Sequence, residues 1–175
     1  RHPLTQDFPR KFKTSFTGSS KKDDIMSALH DLAFIAQMKD GKRGFKVLVG
    51  GGTSIMPRLA QTLYEFVSID DYLRVSEAVW QVFNQAETLR KNRMMARIKV
   101  LIDRIGMDEF RKLVDNELAN IEKIDPTPLL ATDNIYKETP PLDNKPQPTP
   151  KKLPRSFTDW ASTNVEPQKQ DGYKI

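Results

Sequence analysis

Residues 31–49 decide the fold. Asp31-Leu32-Ala33-Phe34-Ile35-Ala36-Gln37-Met38 is an apolar run, Lys39-Asp40-Gly41-Lys42 is a tight-turn signal, and Phe45-Lys46-Val47-Leu48-Val49 is rich in β-branched and aromatic residues. The first run fits a buried strand or the end of a helix. The last is a strand by composition, and the Asp-Gly turn between them selects an antiparallel hairpin.

Downstream, Gly50-Gly51-Gly52 ends the second strand. Thr53 or Ser54 can cap a helix reaching about residue 67, with Pro57 tolerated in its first turn. A second helix fits residues 69–84, where Leu73, Ala78, Val79, Val82 and Phe83 lie near helical spacing. A third runs from residue 89 to 105 and stops at Gly106. A fourth covers 108–121, with Phe110, Leu113, Val114 and Leu118 on one face. Upstream, Asp23 and Asp24 can start a short helix through Leu29, and Gly18-Ser19-Ser20 is a turn. Residues 10–17 alternate as a strand, with Phe12 and Phe16 on one face and Lys11 and Lys13 on the other.

From Asp125 the character changes. Residues 126–154 hold eight of the twelve prolines. Such a stretch forms no helix and no central strand, and so reads as a linker or a surface strap. Apolar anchors return at Phe157 and Trp160, and residues 164–173 look like the approach to a new domain.

The chain has 175 residues, 38% of them hydrophobic, enough for one modest domain and a tail. The net charge of +5 points to an anionic partner without choosing among nucleic acid, membrane surface and small anions. With no cysteine there is no disulfide, thiol nucleophile or iron–sulfur ligand. Two histidines, His2 and His30, cannot make a zinc site alone. No apolar run is long enough to span a bilayer. A cytoplasmic location is compatible with these features, and both ends read as cut from a longer chain.

Four motifs can carry chemistry. Lys11 and Lys13, two apart on a strand, can hold a small anion, or form an ordinary solvated face. Gly50-Gly51-Gly52 before a helix start can bring backbone close to an anionic ligand, or be a plain strand-to-helix turn. It is not a Walker loop, since no Gly-Lys-Ser/Thr follows. Arg90, Arg93 and Arg97, at i, i+3 and i+7, line one face of the third helix, where arginine forks suit carboxylates. That face can equally be solvated or touch nucleic acid, although few aromatics interleave for base stacking. His30-Asp31 is either an oriented imidazole or a structural pair.

Taken in order, these segments resemble the sirohaem- and iron–sulfur-containing nitrite/sulfite reductases. The residues that carry the resemblance are Phe8-Pro9-Arg10-Lys11-Phe12-Lys13, His30-Asp31-Leu32-Ala33-Phe34-Ile35-Ala36, Gly44-Phe45-Lys46-Val47-Leu48-Val49-Gly50-Gly51-Gly52 and Arg90-Lys91-Asn92-Arg93-Met94-Met95-Ala96-Arg97-Ile98-Lys99. Residues 102–111 and 163–170 also match. The sequence departs at Phe8, where leucine is usual, and at Thr88-Leu89-Arg90, where many members carry Gly-Asn-Arg or Gly-Asp-Arg.

The resemblance implies an α+β fold. Residues 1–52 would form part of a sirohaem-binding layer of the first half, and 53–124 a helical segment. A proline-rich linker would cover 125–159, and 160–175 would start the second half. It implies that Lys11 and Lys13 act on a small oxyanion, sulfite or nitrite, in six-electron reduction to sulfide or ammonia. It further implies that Arg10, His30, Gly50, Gly51, Gly52, Arg90, Arg93 and Arg97 bind sirohaem. The [4Fe-4S] cluster ligands would lie outside this chain, which holds no metal ligand, so the fragment alone would be inactive. The implied partners are ferredoxin or a flavoprotein as electron donor and the remaining half of the polypeptide, with no nucleic acid and no membrane. The alternative is a non-catalytic basic module that binds nucleic acid.

Overall fold

The computed structural model describes residues 2–18, 23, 25–123 and 153–166, which fall in two compact units, 1–130 and 131–175. In the first unit four strands form one sheet in the order β1 (Thr14–Thr17), β2 (Leu32–Lys39), β3 (Lys42–Val49), β4 (Gln61–Ser68). Strands β2 and β3 are the expected hairpin. Lys39 pairs with Lys42 across a two-residue loop in which Asp40 and Gly41 have φ of 49° and 73°. Positive φ at both positions is the turn whose twist matches that of the strands, and Asp-Gly adopts it readily. β1 pairs parallel to β2, from Thr14↔Leu32 to Thr17↔Ile35. A parallel neighbour needs a long connection, here residues 18–31 with a 3-10 turn at Ser27–Leu29.

β4 corrects the sequence reading. Residues 53–60 form a loop closed by a bridge between Gly52 and Arg58, and Gln61–Ser68 is a strand, not the end of a helix. The cap signals at Thr53 and Ser54 compete with Tyr64, Phe66 and Val67, which suit a pleated sheet, and pairing with β3 decides the outcome. Gly44 allows that pairing. A Cβ there would lie 2.3 Å from the Val67 carbonyl oxygen and 2.5 Å from the Phe66 ring.

Helices follow in order: α1 (Tyr72–Gln85), α2 (Glu87–Arg90), α3 (Ile98–Ile105) and α4 (Met107–Asn120). α1 buries Val75, Ala78, Val79, Val82 and Phe83, and α4 buries Phe110 and Val114. Leu113, expected on the inner face of α4, is exposed. These side chains join Leu32, Phe34, Val47 and Val49 of the sheet in one core. Fully burying each large apolar side chain contributes about 1.5–3 kcal/mol. Gly106, at φ 83°, makes the corner between α3 and α4.

The third predicted helix is interrupted. Between α2 and α3 the chain passes through a 3-10 turn at Arg93–Met95, where the Asn92 side chain accepts from the Met94 amide 2.9 Å away. That contact takes a backbone donor which a continuous helix would need.

In the second unit, α5 (Arg155–Asn164) starts after Pro154. It therefore begins inside the expected linker 125–159. Its Phe157 and Trp160 rings are exposed and 5.8 Å apart. Residues 124–152 and 167–175, which hold most of the expected linker and most of the expected start of a second half (160–175), lie outside the described residues.

Candidate functional site

The segment Phe8-Pro9-Arg10-Lys11-Phe12-Lys13 is fixed by its two phenylalanines. Phe8 and Phe12 pack on Phe83 of α1 with ring centroids 5.5 and 5.3 Å away, and on each other at 5.8 Å. The basic residues are thus held at the surface beside a buried aromatic anchor. Arg10 Nη1 donates to the carbonyls of Arg93 (3.0 Å) and Met94 (3.2 Å) and so joins this segment to the turn before α3. Arg90 Nη2 donates to the Asp7 carbonyl (2.8 Å) and the Asn84 carbonyl (3.0 Å) and pairs with the Asp7 carboxylate (3.2 Å).

These contacts frame a cavity of about 910 Å³ lined by Arg10, Lys11, Arg90 and Arg93 together with Phe8, Phe12 and Trp80 among others. Among the described residues no carboxylate lines it. Among the described residues, Arg10, Lys11 and Arg93 have no acidic partner. The Trp80 Nε1 hydrogen is buried and unpartnered. Four cations around one concavity with apolar walls suit a ligand carrying several carboxylates or phosphates.

Lys13 lies next to this cavity but is not one of its lining residues. The ladder of β1 begins at Thr14, so Lys11 and Lys13 precede the paired strand and do not share a ladder face as expected. Pro9 has no N–H to offer, and the aromatic docking of Phe8 and Phe12 sets the path instead. The exposed Lys13 is tied down through its backbone: its amide donates to Asp31 Oδ2 (2.9 Å) and its carbonyl accepts from Leu32 (3.1 Å).

Arg97 has a different position from Arg90 and Arg93, so the expected stripe on one helix face does not exist. Its Nε lies 3.0 Å from Asp31 Oδ1, and its Nη2 lies 2.8 Å from both Asp31 oxygens. Both residues are buried.

Gly50, Gly51 and Gly52 do not precede a helix, and their amides are engaged. They donate to the carbonyls of Asp31, His30 and Arg58, each at 2.9 Å. The glycines serve close packing. A Cβ on Gly51 would lie 2.3 Å from the Ala28 carbonyl oxygen and 2.7 Å from that of His30. His30 is half-buried, with Nδ1 3.2 Å from the Met26 carbonyl, and makes no imidazole–carboxylate pair with Asp31.

Lys99 belongs by sequence to the basic cluster of Arg90, Lys91, Arg93 and Arg97, and its burial is the unexpected feature. It is 2% exposed, and its Nζ lies 3.4 Å from the carbonyl oxygens of Gly52 and Ser54. Burial, followed by the nearby Arg97 guanidinium, lowers its pKa. The signal was a lysine inside the apolar run Ile98-Lys99-Val100-Leu101-Ile102. In the sequence Asp31 stands out only beside His30, and its pairing with Arg97 links residues too distant for a local pattern to find. No group of acidic residues and histidines suited to a metal occurs among the described residues. No described helix is long and apolar enough to cross a membrane.

Comparison with known proteins gives concordant findings. Residues 1–122 match the family described as nitrite and sulphite reductase 4Fe-4S domain. The chain is 36% identical over 125 residues to sulfite reductase (ferredoxin) 1 of Mycolicibacterium paratuberculosis, covering 71% of this chain and 22% of that protein. It is 34% identical over 120 residues to the ferredoxin–nitrite reductase of Leptolyngbya laminosa, covering 68% and 23%. It is 41% identical over 120 residues to the sulfite reductase (NADPH) hemoprotein beta-component of Methylorubrum extorquens, covering 63% and 19%. The solved structure of the Mycobacterium tuberculosis NirA protein is similar with a TM-score of 0.60 and 33% identity, over 70% of this chain and 22% of that one. The chain thus spans about a fifth of the length of the relatives it matches.

Proposed function

We propose, from the premise that this chain belongs to the nitrite and sulphite reductase 4Fe-4S domain family, that it supplies the cationic wall of a sirohaem and oxyanion site in a sulfite or nitrite reductase. The observation that carries this reading is the cavity lined by Arg10, Lys11, Arg90 and Arg93, with no carboxylate among its described lining residues. A polycarboxylate tetrapyrrole fits such a lining, because planar guanidinium forks pair with carboxylates and apolar walls accept a flat macrocycle.

Sirohaem with a coupled [4Fe-4S] cluster would supply the electrons for six-electron reduction. The cluster's cysteines come from elsewhere, since this chain has none. Arg10 and Arg93 hold carboxylates of the cofactor. Arg90, already paired with Asp7, contributes more weakly. Lys11 and Lys13 hold the oxyanion through ammonium N–H donors, oppose its charge and release protons to its oxygens. Their exposure allows each to regain a proton from solvent. His30 and the close-packed Gly50–Gly52 backbone do not line this cavity, and Arg97 reaches Lys13 only through Asp31. Ferredoxin is the favoured electron donor, by analogy with the ferredoxin-dependent relatives.

The test is steady-state reduction of sulfite and of nitrite by the intact enzyme that carries this chain. Lys11→Met is expected to lower kcat/KM by roughly 100-fold, as loss of a fixed donor at a developing negative charge does. Unchanged kcat/KM for both oxyanions would overturn the reading.

A further inference from the structure

We propose that Asp31 is a positioning residue for Lys13, a role that rests on the reading of Lys13 as an oxyanion-facing cation. Asp31 is 1% exposed and stands immediately before β2. Its Oδ2 accepts the Lys13 amide at 2.9 Å, and the next residue, Leu32, donates to the Lys13 carbonyl at 3.1 Å. Both polar backbone groups of Lys13 are therefore bound to consecutive residues, one through a side chain and one through the main chain.

The carboxylate is itself held. Arg97 brings Nε and Nη2 to within 2.8–3.0 Å of its two oxygens. The Asp31 carbonyl accepts the Gly50 amide at 2.9 Å, which joins β2 to the end of β3. Asp31 thus sits where three separated segments meet: the basic segment, the end of the hairpin and the start of α3. Without Asp31 the Lys13 backbone, between the docked Phe12 and the first ladder residue Thr14, would be held on its carbonyl side alone. The Asp31 contact fixes the point from which the Lys13 side chain extends, and displacement of an active-site group by about 1 Å can cost up to ~100-fold in rate.

The experiment uses the intact enzyme and two readouts: oxyanion KM and kcat, and hydrogen exchange of the Lys13 amide. Asp31→Asn keeps a side-chain oxygen for the Lys13 N–H and is expected to retain most of the amide's protection. Asp31→Ala removes it. Because that change leaves Arg97 buried without a partner, Asp31→Ala is also combined with Arg97→Met so that a folded protein can be compared. The alanine variants are expected to raise KM by roughly tenfold and speed Lys13 exchange by a similar factor, while the β2–β3 hairpin amides keep their protection. Wild-type KM and wild-type Lys13 exchange in the folded double variant would overturn the proposal. Lys13→Ala separates the two claims. If it leaves oxyanion kinetics unchanged, the reading of Lys13 itself fails. If it impairs them and the double variant does not, the positioning role of Asp31 fails.

Discussion

Arg97 grips Asp31 with its Nε and Nη2 nitrogens, 2.8–3.0 Å from the carboxylate oxygens, in a site where both residues are buried. Breaking such a pair from one side strands a charge out of water. Arg97→Ala is expected to cost about 3–5 kcal/mol of stability. Arg97→Met with Asp31→Leu should cost clearly less, because neither member of the pair is then left charged without its partner, even though the Lys13 amide loses an acceptor. Denaturant unfolding of the two variants measures the difference. Equal losses would mean that the pair's shape matters more than its charge.

Lys99 predicts a pH dependence. Its pKa is lowered by burial and by Arg97, so the folded state releases its proton more easily than the unfolded state, whose value is near 10.5. Between the folded and unfolded values the unfolded chain binds more protons, and stability therefore rises with pH. The destabilisation is fully present below the folded value and is relieved as pH rises toward 10.5. Lys99→Met should remove this rise. Comparing unfolding free energies of the two proteins across the alkaline range tests it, and parallel curves would contradict it.

Gly51→Ala should destabilise the fold by about 1–3 kcal/mol, since overpacking forces neighbours to move. The added Cβ would meet the Ala28 carbonyl oxygen at 2.3 Å, a backbone atom with little freedom to yield. Gly18→Ala is the control, because a Cβ there meets nothing within 4 Å. Thermal unfolding of both variants should separate them by several degrees.

The hairpin could be read from the sequence because its determinants are local: two apolar runs and an Asp-Gly turn in which both residues adopt positive φ. The faces of α1 and α4 were legible for the same reason, through Ala78, Val79, Phe110 and Val114. β4 was not, because the cap signals at Thr53 and Ser54 are local while the pairing with β3 that overrides them is not. The arginines show the same limit. Spacing placed Arg90, Arg93 and Arg97 on one face, but Asn92 breaks the helix and sends Arg97 to Asp31, 66 residues away in sequence. The cavity around Arg10 and Lys11 was foreseeable only as a basic segment. Its far wall comes from α1 and α2, and only folding brings Trp80 and Arg90 to it.

In the proposed function this cavity seats a polyanionic cofactor. Arg93 tests it best, because its side chain lines the cavity, is exposed and has no acidic partner among the described residues, so that replacing it spares the fold. The measurement is the tetrapyrrole affinity of the intact enzyme carrying Arg93→Glu, read from absorbance on titration. The expected affinity is lower by roughly tenfold or more, as for losing a charged hydrogen bond, with thermal unfolding of the cofactor-free protein unchanged. Wild-type affinity in a correctly folded Arg93→Glu protein would contradict it.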